Sequence, residues 1–159
     1  MNRRTALKLG GATLATTLLR PSLALAKADE GGLLLGLWRR EQAADLAYSK
    51  VLHADPVLAL VRSQEVDHWR ALATQLAAVG LTTPPPASEP ADLDIAAQRL
   101  AESGPDRAEI LAAAIALEED LVAIYKDALP SLPDEKIAMT AATILGSHAQ
   151  HLYILHEVT

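Results

Sequence analysis

Cysteine and phenylalanine are both absent from this 159-residue sequence, and aromatic residues make up only 3% of it. Without cysteine the chain has no disulfide framework, no CxxC redox pair, no thiolate zinc site and no lipoprotein cysteine. Because aromatic residues are so few, the core must be built from Leu, Ala, Val and Ile, and both Leu and Ala favour helices. The composition therefore predicts an all-α protein rather than a sandwich or barrel, and the length is that of one domain with a real core.

Basic residues are scarce beyond residue 28. Five of the 14 Lys and Arg residues, and none of the 20 acidic residues, lie in residues 1–28. The remaining 9 basic residues against 20 acidic ones give residues 29–159 a formal charge of −11. We expect no nucleic-acid partner, because phosphate contacts need clustered Lys and Arg, and the acidic domain does not suit an anionic membrane surface either.

The N-terminus has the pattern of an export signal. Arg3 and Arg4 open a basic stretch, residues 9–19 form a short apolar run, and two A-x-A patterns end at Ala26 and Ala28. The sequence RRTALK resembles a twin-arginine signal in particular. The apolar run is well short of the roughly 20 residues that span a bilayer, which argues against a transmembrane anchor. We expect residues 1–28 to be a cleavable signal peptide. Residues 29–159 would then be an exported domain, periplasmic or extracellular, with no stable membrane insertion.

Proline divides the mature region into four long segments. Proline ends or kinks a helix, and the stretches between prolines contain no breaker apart from an isolated glycine in some. Gly80 suits a helix C-cap, residues 81–90 are expected to be loop, and a short helix is expected over residues 92–102. The long helices are predicted over residues 33–53, 57–79, 106–129 and 134–158.

Each long segment has an apolar stripe at helical spacing, and ionisable residues interrupt each stripe near its middle. Burying a carboxylate or an imidazole without a partner costs several kcal/mol even after relaxation. If the helices pack as a bundle, these groups meet at one level, and a bound cation is the simplest compensation. The six groups are Glu41, Glu65, His68, Glu118, His148 and His151.

The first and third segments repeat each other. Glu41 precedes Tyr48 by seven residues, and Glu118 precedes Tyr125 by seven. This repeat selects Glu118 as the partner of Glu41. The neighbouring Glu119 lies about 100° round the helix and is expected to be solvated.

The second and fourth segments repeat as well. The sequence SQEVDHW falls on GSHAQHL, so that Glu65 matches His148 and His68 matches His151. Residues at i and i+3 lie on one face of a helix, one turn apart, so both members of each pair can reach one metal site. Each half therefore supplies one Glu on its first helix and a ligand pair on its second.

This arrangement resembles the ligand set of ferritin-like di-iron or di-manganese bundles, which have one Glu on each of two helices and Glu-x-x-His on each of the other two. The sequences ALEEDLVAIY and AATILGSHAQH resemble the exported bacterial ferritin-like domains of unknown function, and the resemblance covers essentially all of residues 33–158. It implies an antiparallel four-helix bundle with one long crossover between helices 2 and 3. It also implies the metal ligands Glu41, Glu65, His68, Glu118 and His151, with Glu in the family at the position of His148.

His148 thus departs from the family pattern. Four ionised carboxylates neutralise two divalent cations, whereas three leave one positive charge uncompensated if the histidines are neutral, and this weakens a diferric state. Imidazole favours zinc, copper, nickel or iron, whereas carboxylate suits magnesium or manganese. Asp45, one turn after Glu41, is a candidate for the missing carboxylate. Tyr48 and Tyr125 are expected either to hydrogen-bond to ligands or to pack.

The sequence leaves the function open between classes. One hypothesis is a metal-dependent redox protein in which all six residues hold iron or manganese and the centre reacts with oxygen or peroxide, or oxidises iron. Another is a non-catalytic bundle of the cell envelope whose Glu and His residues pair as buried ions. A third is a single zinc or copper site for metal handling. Metal ions are the expected partners, a homodimer is compatible with the sequence, and no catalytic residue or enzyme class is assigned.

The remaining histidines and the two tryptophans have simpler interpretations. His53 lies in the turn before Pro56, and His156 is about 140° round its helix from His151, so neither is expected to be a ligand. Trp38 and Trp69 are expected to be ordinary packing residues.

Overall fold

The computed structural model describes residues 20–89 and 93–159, and within these ranges the chain forms helices and no strand. A short 3-10 turn, Leu129–Ser131, follows the fourth helix. The predicted all-α fold is confirmed. The helices are α1 Arg20–Val51, α2 Pro56–Ala78, α3 Ile95–Ala101, α4 Arg107–Ala128 and α5 Glu135–Glu157.

The four long helices pack as two antiparallel hairpins. Helix α1 packs mainly on α2 and α4 mainly on α5, while α2 contacts α5 and α1 contacts α4 across the bundle. The long connection between α2 and α4 contains α3, which packs on both α1 and α4. This is the predicted single crossover between the second and third long helices. In the part of the chain that the structure describes, no helix is long and apolar enough to cross a membrane.

Helix α1 extends further toward the N-terminus than the sequence predicted: it includes the described residues from Arg20 onward, whereas the predicted helix starts at residue 33. Gly31 and Gly32 do not interrupt it, because a glycine inside a helix costs only about 1 kcal/mol relative to alanine and the preceding residues are rich in Ala and Leu. A Cβ at Gly31 would lie 2.7 Å from Leu81 Cδ1, so a larger residue there would have to displace the exposed Leu81 side chain. Of the predicted signal peptide, residues 1–19 lie outside the described residues, and the backbone of residues 20–28 belongs to α1.

The other helix boundaries follow the sequence signals closely. Each helix after α1 begins with an Asp whose carboxylate accepts a hydrogen bond from a backbone N–H of its first turn, as N-caps do. Gly80 ends α2 with φ of 81°, a value that favours glycine. The N–H of Gly80 donates to the carbonyl of Ala77 and that of Leu81 to the carbonyl of Leu76, which is a Schellman motif. The four N-caps are Asp55, Asp94, Asp106 and Asp134.

Two apolar clusters fill the bundle, one on either side of its middle. One includes Tyr48, Leu58 and Leu111, and the other includes Leu34 and Leu72. On α1, α2 and α5 the buried mid-helix Glu and His residues lie between members of the two clusters, and on α4 Glu118 lies near the boundary, before the cluster of Tyr48 gives way to the other. The apolar packing therefore holds a polar layer at mid-height and screens it from solvent at both ends.

Asp55 joins three helix ends, and we expect its replacement to destabilise the bundle. Its Oδ1 accepts from the N–H of Val57 at 2.9 Å, and its Oδ2 accepts from Arg107 at 2.6 Å. Arg107 also donates to the carbonyl oxygen of Val158 at 2.8 Å. Asp55→Ala should lower the free energy of unfolding by about 1 kcal/mol, the usual effect of losing an N-cap. Urea denaturation at pH 7 measures this.

Acid should reproduce the effect in the wild type. The N–H of Val57, with Arg107, lowers the pKa of Asp55 below its usual 3.8. The stabilisation by Asp55 is therefore complete above pH 3.8 and is lost as the pH falls through the lowered pKa. Asp67→Ala is the matched control for Asp55→Ala, because Asp67 is 78% exposed and forms a long ion pair of 3.7 Å with Arg70. An equal loss of stability in Asp55→Ala and Asp67→Ala would contradict the assigned role of Asp55.

Candidate metal centre

The six ionisable residues singled out in the sequence meet in the middle of the bundle. One comes from α1, two from α2, one from α4 and two from α5, and all are buried, the most accessible being His68 at 7%. The structure thus brings together every side chain that the sequence predicted to converge, and their role as metal ligands stays a prediction. They are Glu41, Glu65, His68, Glu118, His148 and His151.

Glu65 is at the centre of this arrangement. Its Oε1 lies 3.2 Å from Nδ1 of His151 and 3.7 Å from Nδ1 of His148, and its Oε2 lies 3.5 Å from Nδ1 of His68. Neither oxygen accepts a hydrogen bond of acceptable geometry from the described part of the chain. A fully buried carboxylate without a hydrogen bond is rare and energetically costly. Its Oε1 faces His148 and His151, whereas its Oε2 faces His68.

Two overlapping sets of four residues have the geometry to hold a metal ion. In each set the potential ligand atoms all lie within 4.8 Å of one another, and each set offers two carboxylates and two imidazoles. Glu65 and His148 belong to both sets. We call the first the His68 site, formed by Glu41, Glu65, His68 and His148. The second is the His151 site, formed by Glu65, Glu118, His148 and His151.

His148 occupies the position where the resemblance implied a carboxylate. Its Nδ1 lies 2.8 Å from Oε2 of Glu118, and its Nε2 lies 3.1 Å from Oε1 of Glu41. The imidazole therefore lies between the two carboxylates and faces each with a different nitrogen. In its protonated form it is the cation that separates Glu41 from Glu118.

The two buried tyrosines hydrogen-bond across the halves of the bundle. The Tyr48 hydroxyl on α1 donates to Oε1 of Glu118 on α4, and the Tyr125 hydroxyl on α4 donates to Oε1 of Glu41 on α1, both at 2.6 Å. The sequence left open whether these tyrosines hydrogen-bond to the ligands or only pack, and the structure shows that both hydrogen-bond to carboxylates. Each tyrosine fixes one oxygen of a carboxylate and leaves the other oxygen facing the histidines.

The close approach of carboxylates and imidazoles shifts their pKa values in opposite directions. Burial opposes ionisation of Glu41 and Glu118, but the charge and hydrogen bonds of His148 hold the pKa of Glu41 well below its usual value, and hydrogen bonds with the histidines lower that of Glu118 to about 2. Burial lowers the pKa of His68, but its hydrogen bond with Glu41 and the nearby charge of Glu65 outweigh that and raise it to about 9.

Glu65 behaves differently from the other two carboxylates. Burial raises its pKa, and the negative charges of Glu41 and Glu118 raise it further, to about 7. A carboxylate whose pKa is raised by burial and by like charges favours either a proton or another cation. Glu65 is therefore the carboxylate of the cluster whose ionised form the surrounding protein groups stabilise least.

Two polar residues that the sequence analysis missed complete the surroundings of His151. Gln64 on α2 and Ser147 on α5 hydrogen-bond to each other at 2.8 Å, and the Gln64 Oε1 also lies 2.9 Å from Nε2 of His151. The repeat contained the signal that could have found them, because Gln64 and Ser147 are equivalent positions immediately before Glu65 and His148.

Asp45 does not supply an additional carboxylate, so that expectation was wrong. Its Oδ1 accepts a hydrogen bond from Nε of Arg62 at 2.8 Å, because the position one turn after Glu41 faces α2 at its accessible edge. His53 and His156 are exposed and belong to neither set of four. Trp38 packs in the apolar core, as expected.

Comparison with known proteins gives one match. The model of a protein family described as Ferritin-like domain matches residues 38–159, which is more than half of the chain. The match begins on α1 before Glu41 and includes all six buried ionisable residues. No curated protein and no solved structure matches the chain.

Proposed function

Because the chain belongs to the ferritin-like domain family, we propose that its buried Glu and His residues hold two divalent metal ions, iron or manganese. We propose further that the centre carries redox chemistry with oxygen, peroxide or ferrous iron. The observation that carries the proposal is Glu65, whose buried oxygens accept no well-formed hydrogen bond and face two sets of potential metal-ligand atoms.

The donor set fits such ions. Carboxylate oxygens and imidazole nitrogens bind both iron and manganese, and the described residues offer no softer ligand at the centre. Three carboxylates leave a pair of divalent ions with one net positive charge when the histidines are neutral. The centre therefore suits the divalent state better than the trivalent one, as the replacement of a family Glu by His148 implied.

The side chains around the ligands prepare them for metal binding. When bound, the metal ions would supply the one-electron steps that the protein side chains do not. Tyr125 holds Glu41 and Tyr48 holds Glu118 by one oxygen each, so that the other oxygen, which faces the histidines, keeps one orientation. The apolar clusters exclude water from both ends of the layer. His68 is the most accessible of the six residues, so we infer that small reactants enter from its side.

A non-catalytic bundle is the second candidate, and one observation favours it. Each of the three histidines has a ring nitrogen within 3.2 Å of a carboxylate oxygen, so the cluster can balance its charges without a cation. In that case the Glu and His residues only stabilise the bundle as buried ion pairs. The two proposals differ in whether the folded protein takes up metal.

We also propose that the chain is exported. The basic N-terminus with paired Arg3 and Arg4, the short apolar run and the A-x-A patterns support cleavage after Ala28. A mature domain of residues 29–159 would then act in the periplasm or outside the cell, with no stable membrane insertion. Mass spectrometry of the exported protein tests the cleavage site, and sedimentation of the same sample tests for a homodimer.

Elemental analysis of the mature protein, isolated from its native export route, tests the function directly. About two iron or manganese ions per chain would support the di-metal redox proposal. One zinc or copper ion would indicate a metal-handling site built on the histidines. A protein that contains no metal and takes up none on titration would identify the bundle as non-catalytic.

Metal binding should also stabilise the fold. A ligand that binds only the folded state at a hundred times its Kd adds about 2.7 kcal/mol, which for a domain of this size raises Tm by roughly 10 °C. Thermal unfolding with and without Fe²⁺, Mn²⁺ or Zn²⁺ measures the shift. An unchanged Tm across this panel would contradict the proposal.

The Tm shift should grow with pH. The Nδ1–H of His68 donates to Glu41 on α1 and lies close to Glu65 on α2, and these two carboxylates raise the pKa of His68 from 6.5 to about 9. Its contribution to the stability of the metal-free protein is therefore complete below pH 6.5 and is lost as the pH rises toward 9. A metal ion must displace the proton from His68, so metal binding strengthens over the same interval. The two trends together widen the difference in Tm between pH 6.5 and 9.

A further inference from the structure

His68 and His151 occupy equivalent positions in the repeat but differ in how the ring nitrogen that points away from the carboxylates is held. Nε2 of His151 donates to Oε1 of Gln64 at 2.9 Å, and the same oxygen accepts from the Ser147 hydroxyl at 2.8 Å. An amide oxygen has two lone pairs and accommodates both donors. This bond fixes the His151 ring with Nδ1 toward Glu65 and Glu118, each 3.2 Å away.

His68 has no such support. Its Nδ1 lies 3.1 Å from Glu41 and 3.5 Å from Glu65. No other side chain in residues 30–89 and 93–159 forms a hydrogen bond with this ring. Ser147, which matches Gln64 in the repeat, pairs with Gln64 instead of reaching His68. His68 is also 7% exposed, whereas His151 is 1% exposed.

We propose that Gln64, held by Ser147, is a positioning residue that makes the His151 site the tighter of the two metal sites and the first to be loaded. The inference rests on the proposed metal binding. A metal-ligating histidine binds more tightly when its other nitrogen donates to a fixed acceptor, because the ring is already oriented and its free nitrogen is more basic. Such outer partners change metal affinity by about 10–100-fold.

Gln64 holds the His151 ring through a neutral acceptor. Substitutions of Gln64 can therefore either remove this acceptor or strengthen it. Gln64→Leu removes the acceptor at similar volume. Gln64→Glu keeps an acceptor and strengthens it by a negative charge, so it should bind at least as tightly as the wild type. If Gln64 only packed between α2 and α5, Gln64→Leu would not bind metal more weakly than Gln64→Glu.

The experiment is a Zn²⁺ titration of the metal-free protein in competition with a chromogenic chelator at constant pH. We expect two binding steps in the wild type. Gln64→Leu should weaken the tighter step by about 10–100-fold and leave the weaker step unchanged within about twofold. His68→Ala should keep the tighter step and lose the weaker one, while His151→Ala should lose the tighter step.

Gln75→Leu is the matched control. Gln75 also lies on α2 and donates to the Thr140 hydroxyl of α5 at 3.1 Å, in a similarly half-buried environment, but it contacts no histidine. It should lose about as much stability as Gln64→Leu and bind Zn²⁺ like the wild type. A second readout is the ¹⁵N NMR spectrum of the Zn²⁺-loaded protein, in which the protonated Nε2 of His151 should lose its protection from solvent exchange in Gln64→Leu.

The possible outcomes separate this inference from the proposed function. Two unchanged binding steps in Gln64→Leu would overturn the inference and leave metal binding intact. The inference would also be overturned if Gln64→Leu lost only the binding step that His68→Ala loses. If the wild type takes up none of Zn²⁺, Fe²⁺ or Mn²⁺, the proposed function itself fails, and the inference fails with it.

Discussion

Replacing Glu65 by glutamine should strongly weaken the binding of both metal ions while making the metal-free protein more stable above pH 7. Glu65 is the only carboxylate shared by the His68 site and the His151 site, so its loss removes one negative ligand from each. Since even an outer hydrogen-bond partner changes metal affinity by about 10–100-fold, losing this shared ligand should weaken both steps by more than about a hundredfold. Metal content and the metal-induced shift in Tm should fall together.

The gain in stability follows from the surroundings of Glu65. Its pKa is raised from 4.5 to about 7 by burial and by Glu41 and Glu118. Above pH 7 the ionised carboxylate is therefore disfavoured in the folded protein, and a neutral amide of the same size relieves that penalty. Urea denaturation of the metal-free variant at pH 8 measures the difference.

Two comparison variants make this prediction specific. Glu119→Gln changes an exposed carboxylate beside Glu118 and should affect neither metal content nor stability. Glu41→Gln should leave the His151 site complete and retain about one ion per chain, as expected for a residue that belongs to one site only. Normal metal content in Glu65→Gln would contradict the assignment of Glu65 as the shared ligand.

Replacing His148 by glutamate should raise iron affinity and lower the stability of the metal-free protein. In the wild type His148 lies 3.1 Å from Glu41 and 2.8 Å from Glu118 and, when protonated, neutralises their repulsion. His148→Glu would gather four carboxylates with only two histidines. Since loss of one partner of a buried ion pair costs about 3–5 kcal/mol, the metal-free variant should be strongly destabilised at neutral pH.

Metal should more than reverse that loss. Four carboxylates neutralise two divalent ions fully, so Fe²⁺ affinity should rise by at least about tenfold, given the effect that even outer ligand partners have. The rate of Fe²⁺ oxidation should rise with it, and both are measurable by absorbance in anaerobic titration and after mixing with oxygen. His148→Gln is the control, because it removes the imidazole without adding a carboxylate. Equal Fe²⁺ affinity in His148→Glu and the wild type would indicate that His148 adapts the centre to a different metal.

Much of the fold could be read from local signals in the sequence. Pro56 and Gly80 mark the ends of α2, and the acidic N-caps Asp106 and Asp134 mark the starts of α4 and α5. The level at which the polar residues meet follows from their helical spacing on each apolar stripe. These features depend on residues close together in the chain, so a single sequence contains them.

Contacts between helices were harder to predict from the sequence. The spacing of Tyr48 and Glu41 did not indicate that Tyr48 donates to Glu118, because the acceptor depends on which helices cross at that height. The same limitation concealed the bond of Gln64 to His151 and the pairing of Asp45 with Arg62. The N-terminal extension of α1 was missed because adjacent glycines suggest a break, whereas the Ala and Leu residues before them favour a helix and outweigh the cost of two glycines.

The crossed tyrosine bonds have a consequence for how such a centre can change over evolutionary time. A helical hairpin whose tyrosine reaches the glutamate of another hairpin is complementary to a copy of itself, which is the property that a two-fold symmetric dimer needs. In such a dimer every substitution appears twice. Joining two hairpins through a crossover removes that constraint, so a carboxylate can give way to His148 in one hairpin while Glu65 persists in the other. Covalent fusion thus allows the two equivalent positions to acquire separate tasks.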